Sequence, residues 1–150
     1  MKHPFIFKPG YWLGEGKITL SMMEEELPFY TRWKIPPAQT QGKVETVQEI
    51  QISGVQDCMH NQFVFSDISS KGFNIELENQ SMGKVLGKGL INDRLIGWEF
   101  RLGHLGFEGF EFYEVTSTAD TYLIHAEYAT NDELRTTIHG KIWKSEEFDT

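Results

Sequence analysis

The sequence contains one cysteine, Cys58, among its 150 residues. A single thiol excludes an internal disulfide and a cysteine-based zinc site. It also favours a reducing compartment, because disulfides persist mainly in oxidising ones. We therefore predict no metal site in this chain.

Long apolar runs are also missing. A signal peptide needs an apolar stretch of about 7–15 residues, and the patch in the N-terminal segment MKHPFIFKPG is broken by Pro4 and Pro9. No stretch reaches the roughly 18 apolar residues of a membrane helix. We expect a cytoplasmic protein without membrane insertion.

Positive charge is scarce as well. The chain has 14 Lys and Arg residues against 22 Asp and Glu residues, which gives a formal net charge of −8. Phosphate backbones are recognised by basic stripes, so this balance argues against a nucleic-acid partner.

The common catalytic motifs are absent too. The sequence has no Gly-x-Ser-x-Gly elbow, no HExxH, no P-loop and no Cys–His pairing. The segment GKVLGKG at 83–89 lacks the Lys-Ser/Thr ending and the strand-to-helix context of a phosphate-binding loop. We predict no set of catalytic residues.

The apolar content is concentrated in large side chains, with 11 Phe, four Trp and five Tyr. These residues follow a period of two in short segments, which is typical of strands. The one helix-like stretch, SMMEEELPFY, is stopped by Pro28. The predicted strands are 11–21, 28–35, 42–53, 60–66, 72–78, 84–92, 95–101, 108–115, 120–128 and 134–144.

The short connections between these strands leave no room for helical crossovers, so the strands must run antiparallel as a meander. A meander of about ten strands closes into a barrel or splits into two sheets. Glycines inside strands, such as Gly14, Gly16 and Gly97, favour closure because curved sheets bend at glycines. We predict an all-β fold, an up-and-down antiparallel meander closed into one β-barrel that occupies 1–150 as a single domain.

Alternation assigns the faces of two hairpins. In the pair 95–101 and 108–115, a register that gathers the aromatics puts Trp98, Phe100, Phe110 and Phe112 inside. In the last pair, the register puts Tyr122, Ile124, Ala126, Tyr128, Leu134, Thr136, Ile138 and Ile142 inside, and it sets Glu127 opposite Arg135 on the outer face. The predicted ligand-binding residues are Trp33, Phe63, Phe65, Phe73, Trp98, Phe100, Phe110 and Phe112.

Two histidines, His125 and His139, fall on the same face of adjacent predicted strands. That face also carries charged residues, so a solvated outer surface is favoured over a polar anchor, a haem ligand or an acid–base pair. If the alternation were reversed, Glu99, Glu111 or His139 would face inward as a titratable group.

The stretch FKPGYWLGEGKITLS contains a Gly-x-Trp, Gly10 and Trp12, at the start of the first predicted strand. This opening resembles the calycin superfamily, which comprises lipocalins, fatty-acid-binding proteins and nitrobindin-like barrels. The resemblance implies a ligand-enclosing barrel, with Trp12 near a basic residue of the last strand: Arg135, Lys141 or Lys144. In the nitrobindin-like group the enclosed ligand is haem.

Together, these observations predict a protein that binds a small, largely apolar molecule in an aromatic-lined cavity. One alternative is a barrel enzyme of the isomerase or lyase type acting on an apolar substrate. Another is a solid-core interaction module. The sequence leaves the ligand, any cofactor and the oligomeric state open.

Overall fold

A computed structural model describes residues 9–21, 25–37, 43–54, 56, 58–79, 83–102, 107–129 and 135–145. Its strands are β1 (Gly10–Leu20), β2 (Glu26–Ile35), β3 (Val44–Ile52), β4 (Met59–Ser66), β5 (Gly72–Asn79), β6 (Gly83–Ile91), β7 (Leu95–Leu102), β8 (Phe107–Val115), β9 (Thr121–Ala129) and β10 (Arg135–Lys144). The ten predicted strands are confirmed, with ends displaced by at most two residues. No helix long and apolar enough to span a bilayer occurs in the described ranges.

The strands form one closed barrel. Each strand pairs antiparallel with the next along the chain, and β1 pairs with β10 to close the sheet. The predicted fold, an all-β antiparallel meander closed into a barrel, is confirmed. The calycin resemblance of the sequence likewise implies a barrel, and a closed barrel is observed.

The two ends of the barrel differ in their lining. Where β1 begins and β10 ends, the interior is apolar and contains Trp12, Ile35, Phe65 and Phe73. We call this the Trp12 end. Where β1 ends and β10 begins, buried polar groups line one wall, among them Thr31, Gln48 and Asn61. We call this the polar end.

Trp12 closes the Trp12 end. Its side chain is fully buried, and its ring centroid lies 5.8 Å from that of Tyr122 on β9. Lys144 lies directly opposite Trp12 on β10. Of the three basic residues that the calycin resemblance offered, the register therefore places Lys144 beside the tryptophan.

Glycine permits the close approach of β1 to β10. Gly16 lies opposite Gly140, and a Cβ built on Gly16 would overlap the carbonyl oxygen of His139. A larger residue would push the closing pair of strands apart. These glycines are therefore required by the closure itself, as the sequence indicated.

The predicted register of β7 and β8 is wrong. Trp98 lies opposite Glu111, not opposite an aromatic residue, and Gly97 lies opposite Phe112. Phe110 and Phe112 consequently lie on the outer face of the barrel. Phe112 packs its ring over Gly97, where a Cβ would collide with it, so the missing side chain of Gly97 makes room for the ring outside.

The predicted faces of β9 and β10 are confirmed for the described residues. Tyr122 lies opposite Ile142, and Ala126 lies opposite Ile138, on the inner face. The predicted Glu127–Arg135 pair is wrong, because Glu127 lies opposite Thr137 and the register differs by two residues. Leu134 lies outside the described residues.

Candidate ligand-binding site in the barrel interior

Six of the eight predicted ligand-binding residues belong to one buried apolar cluster inside the barrel. The Trp33 and Phe63 rings stack with their centroids 4.9 Å apart, and Trp98 lies 5.6 Å from Phe65. All six side chains are at most 5% exposed. The inward residues are Trp33, Phe63, Phe65, Phe73, Trp98 and Phe100. The other two, Phe110 and Phe112, stack on each other outside.

A carboxyl group projects into this aromatic interior. Glu111 on β8 accepts a hydrogen bond from the Tyr113 hydroxyl at Oε2 and another from the Tyr128 hydroxyl, 2.7 Å away, at Oε1. Because Glu111 and Tyr113 are two residues apart on one strand, their side chains share a face. Tyr128 reaches the same carboxyl from the neighbouring strand β9.

Burial raises the pKa of Glu111 above its ordinary value of 4.5, and the hydrogen bonds from Tyr113 and Tyr128 lower it in part. Burial also raises the pKa of both tyrosines well above 10, and the Glu111 charge adds to this. Both hydroxyls therefore keep their protons at neutral pH and donate to the carboxyl. The three groups form one hydrogen-bonded cluster in which Glu111 accepts from both tyrosines.

Trp98 connects this cluster to the aromatic rings. Its centroid lies 5.3 Å from that of Tyr113, and a hydrogen-bonding interaction with Trp98 lowers the pKa of Tyr128. The buried Trp98 Nε1 nevertheless has no hydrogen bond of normal geometry. The indole N–H thus lies near the cluster as an incompletely satisfied donor. A buried donor of this kind gains from a ligand acceptor placed beside it.

Among the described residues, no cation contributes to the Glu111 pKa or forms an ion pair with this carboxyl. Partial removal of a carboxylate from water without a counter-charge is costly, and a partner that carries a proton donor or a positive charge relieves that cost. The chemistry of the group therefore favours a ligand with an N–H donor or a cationic nitrogen.

A second polar group lines the wall formed by β2 to β5. Asn79 Nδ2 donates to Asn61 Oδ1, Asn61 Nδ2 donates to Gln48 Oε1, and Gln48 Nε2 donates to Thr31 Oγ1, at 3.0–3.1 Å. The Thr31 hydroxyl donates to the carbonyl oxygen of Glu49. This series of hydrogen bonds gives partners to side-chain amides that burial would otherwise leave without any. It makes this part of the interior wall polar.

A cleft of about 300 Å³ opens at the polar end, beside Phe100 and Tyr128. Its rim carries both signs of charge. The rim residues are Glu99, Arg101, Glu108, Glu127 and Arg135. Most of this lining lies on the outer face of the barrel, and the Tyr128 that binds Glu111 also contacts the cleft.

His125 and His139 lie directly opposite each other on the outer face, as the predicted faces imply. Their Nδ1 atoms are 3.3 Å apart, and His125 Nε2 lies 3.1 Å from Glu127 Oε2. Neither histidine is placed to ligate a haem iron inside the barrel. Glu99 is exposed and pairs with Arg101 at 3.3 Å, so of the three titratable residues proposed for a reversed alternation only Glu111 faces inward.

Sequence reasoning missed Tyr113 and Tyr128 as partners of Glu111. The signal was present as the Glu-x-Tyr spacing of Glu111 and Tyr113, which alternation puts on one face. The aromatic neighbours Phe110 and Phe112 concealed it, because a residue-type argument assigns phenylalanine to the inside before glutamate.

No protein-family model matches this chain, and no curated protein matches it significantly. Among solved structures, the S-type phycobiliprotein lyase CPES from Guillardia theta aligns with a TM-score of 0.69 and 8% identity, over 93% of this chain and 89% of that one. A candidate AttH protein from Nitrosomonas europaea aligns with a TM-score of 0.37 and 10% identity, over 93% and 52%. At 8% identity, the first likeness shows a shared barrel fold and nothing finer.

Proposed function

We propose that this protein binds a small, largely apolar molecule against the aromatic interior, and that Glu111 orients it through an N–H donor or a cationic nitrogen. The observation that carries the proposal is the Glu111 carboxyl, held by two tyrosine hydroxyls inside a ring of aromatic side chains. A few convergent polar groups in an apolar pocket are the usual composition of a small-molecule site.

The cleft at the polar end gives this ligand its entry. Phe100 and Tyr128 line the cleft and also face the interior, so movement of these two side chains would let a flat ligand pass from the charged rim to the rings. Burial of its apolar surface contributes about 25 cal/mol per Å². The ligand takes its place by displacing ring contacts near Trp98, whose incompletely satisfied N–H offers a second polar contact.

Linear tetrapyrroles fit this chemistry. They are extended, conjugated and apolar over most of their surface, and they carry pyrrole N–H donors that match a carboxylate acceptor. The fold shared with a phycobiliprotein lyase supports the choice of this ligand class for a first test.

The test is a fluorescence titration of the purified chain with biliverdin and, separately, with Nile red, a neutral apolar dye. We expect saturable one-to-one binding of both. Glu111→Leu should weaken biliverdin binding by about tenfold or more, since a hydrogen bond to a charged group contributes roughly 1.5–3 kcal/mol. Nile red binding should change little. Glu114→Gln, an exposed glutamate on the same strand, is the matched control and should leave both affinities unchanged.

The proposal would be contradicted if neither probe bound saturably and an experimental structure showed an interior filled by side chains. The solid-core interaction module would then be the better description. Equal weakening by Glu111→Leu and Glu114→Gln would show that Glu111 has no special part. Weakening of Nile red but not of biliverdin would also contradict the proposed donor contact.

A second candidate is an enzyme of the lyase or isomerase type that uses Glu111 as a general acid or base. The raised Glu111 pKa favours it, because a carboxyl that retains its proton nearer neutral pH is suited to proton transfer. Mass spectrometry of biliverdin recovered after incubation tests it. An altered pigment with the native chain and unaltered pigment with Glu111→Gln would support catalysis. Unaltered pigment with both proteins would contradict catalysis, and binding would remain the proposed function.

A further inference from the structure

Three side chains with metal-binding atoms converge on the outer face of the barrel, away from the interior site. Glu49 lies on β3, His60 lies on β4, and Cys58 immediately precedes β4. Their carboxylate, imidazole and thiol atoms all lie within 4.8 Å of one another. We propose that Glu49, Cys58 and His60 form a binding site for Zn²⁺.

The pairing of β3 with β4 builds this cluster. Glu49 lies directly opposite His60, and their neighbours Gln48 and Asn61 point into the barrel, so Glu49 and His60 point outward. Cys58 precedes His60 by two residues and therefore shares its face. The three groups meet because of strand register, as the ligands of a site on a rigid scaffold do.

The donor set suits zinc. Zn²⁺ binds thiolate sulfur at about 2.3 Å and imidazole nitrogen or carboxylate oxygen at about 2.0–2.2 Å in tetrahedral geometry, which places ligand atoms roughly 3.3–3.8 Å apart. The ligand atoms of the three side chains lie up to 4.8 Å apart. Small side-chain rotations would bring them into that range. Three protein ligands leave a fourth position open for water, which is typical of an exchangeable site and not of a closed structural one.

Arg32 on β2 holds the Glu49 carboxylate from the opposite side. Its Nη2 donates to both carboxylate oxygens of Glu49 at 3.2 Å. An ionised carboxylate has about four lone-pair positions, so this contact with a single arginine nitrogen leaves acceptor capacity toward His60. Arg32 thus acts on a metal only by orienting Glu49, in the manner of an outer partner of a metal ligand.

An ordinary surface ion pair would explain Arg32, Glu49 and the 3.9 Å approach of His60 Nε2 to Glu49 Oε1. Such pairs contribute little. The thiol of Cys58 distinguishes the two descriptions, because a cysteine adds nothing to an ion pair and is a strong zinc ligand. The absence of a second cysteine, which led the sequence argument to exclude a zinc site, excludes only sites that need several thiolates.

The test is an absorption titration of the full chain with Co²⁺, a spectroscopic substitute for Zn²⁺, under a non-thiol reductant. We expect a saturable one-to-one thiolate-to-cobalt absorption band that added Zn²⁺ abolishes. Cys58→Ser should remove the band. His60→Ala and Glu49→Gln each remove a direct ligand, so each should weaken Co²⁺ binding by at least the roughly tenfold that loss of an outer partner of a ligand causes. His139→Ala, which alters an outward histidine on β10, is the matched control and should leave the band unchanged.

A second measurement follows the alkylation of Cys58, the sole thiol of the chain, by iodoacetamide. Zn²⁺ should slow the reaction of the native chain severalfold and leave that of His60→Ala unchanged. No thiolate–cobalt band, a band that survives His60→Ala at full strength, or alkylation indifferent to Zn²⁺ would overturn the proposal. Biliverdin binding by Cys58→Ser should equal that of the native chain, so the interior and outer sites succeed or fail separately.

Discussion

Glu111 lies directly opposite Trp98 across the β7–β8 pair, with both side chains on the inner face of the barrel. This juxtaposition places a carboxyl beside an indole ring where residue types alone predict two aromatic rings. The Tyr113 and Tyr128 hydroxyls that bind Glu111 make its burial tolerable. The proposed function depends on this arrangement.

The first prediction concerns the pH dependence of stability. A carboxyl whose pKa is higher in the folded than in the unfolded chain binds more protons when folded, so stability falls as pH rises from about 4.5 through the raised folded pKa. Glu111→Gln cannot titrate. Urea unfolding at a series of pH values should show the native chain losing stability relative to Glu111→Gln across that interval. A constant difference between the two proteins at all pH values would contradict the raised pKa.

The second prediction compares the removal of the Tyr113 or Tyr128 hydroxyl with the removal of an exposed tyrosine hydroxyl. Tyr113→Phe and Tyr128→Phe each remove a hydrogen bond to the half-buried Glu111 carboxyl and should lower the free energy of unfolding by about 1–3 kcal/mol. Both should also raise the Glu111 pKa further, because the lost hydrogen bonds lower it. Tyr30→Phe, at a residue that is 59% exposed, is the control and should change neither quantity. Urea unfolding and the carboxyl infrared band report the two effects. Equal stability of all three variants would refute the cluster.

The third prediction tests the β7–β8 register. Phe63→Ala opens a void among stacked rings and should cost about 3–5 kcal/mol of unfolding free energy. It should also weaken Nile red binding. Phe110→Ala removes a ring from the outer face and should cost much less, with no effect on Nile red. A large loss of dye binding in Phe110→Ala would favour the register that gathers all the aromatics inside.

The fourth prediction concerns Gly89 on β6. A Cβ at this position would overlap the buried Phe73 ring, which packs against Phe65 and Trp98. Gly89→Ala should therefore destabilise the barrel by about 1–3 kcal/mol through overpacking. Leu86→Ala, on the same strand at a 58% exposed residue, should have a small effect. Chemical denaturation of the two variants gives the comparison, and equal losses would contradict it.

The interior site could be predicted only in part. The six inward aromatics follow from alternation within strands, because side chains two residues apart share a face. The position of β8 relative to β7 does not follow from alternation, since a shift of one residue exchanges the faces of a whole strand. The aromatic residues Phe110 and Phe112 favoured the wrong choice. In the observed register, Phe112 packs over Gly97 on the outer face and Glu111 accepts two hydrogen bonds on the inner face. These contacts compensate for placing two phenylalanines outside and a glutamate inside.

By itself, the sequence determined the number of strands, their bounds to within two residues, the antiparallel order and closure into a barrel. These properties depend on local periodicity, short connections and glycines in strands, all of which are visible along the chain. Only the tertiary structure decided which β8 residues face the interior, and it alone brought Tyr128 to Glu111 and Cys58 to Glu49. The physical reason is that register between strands is set by cross-strand packing and hydrogen bonding, which act between residues far apart in sequence.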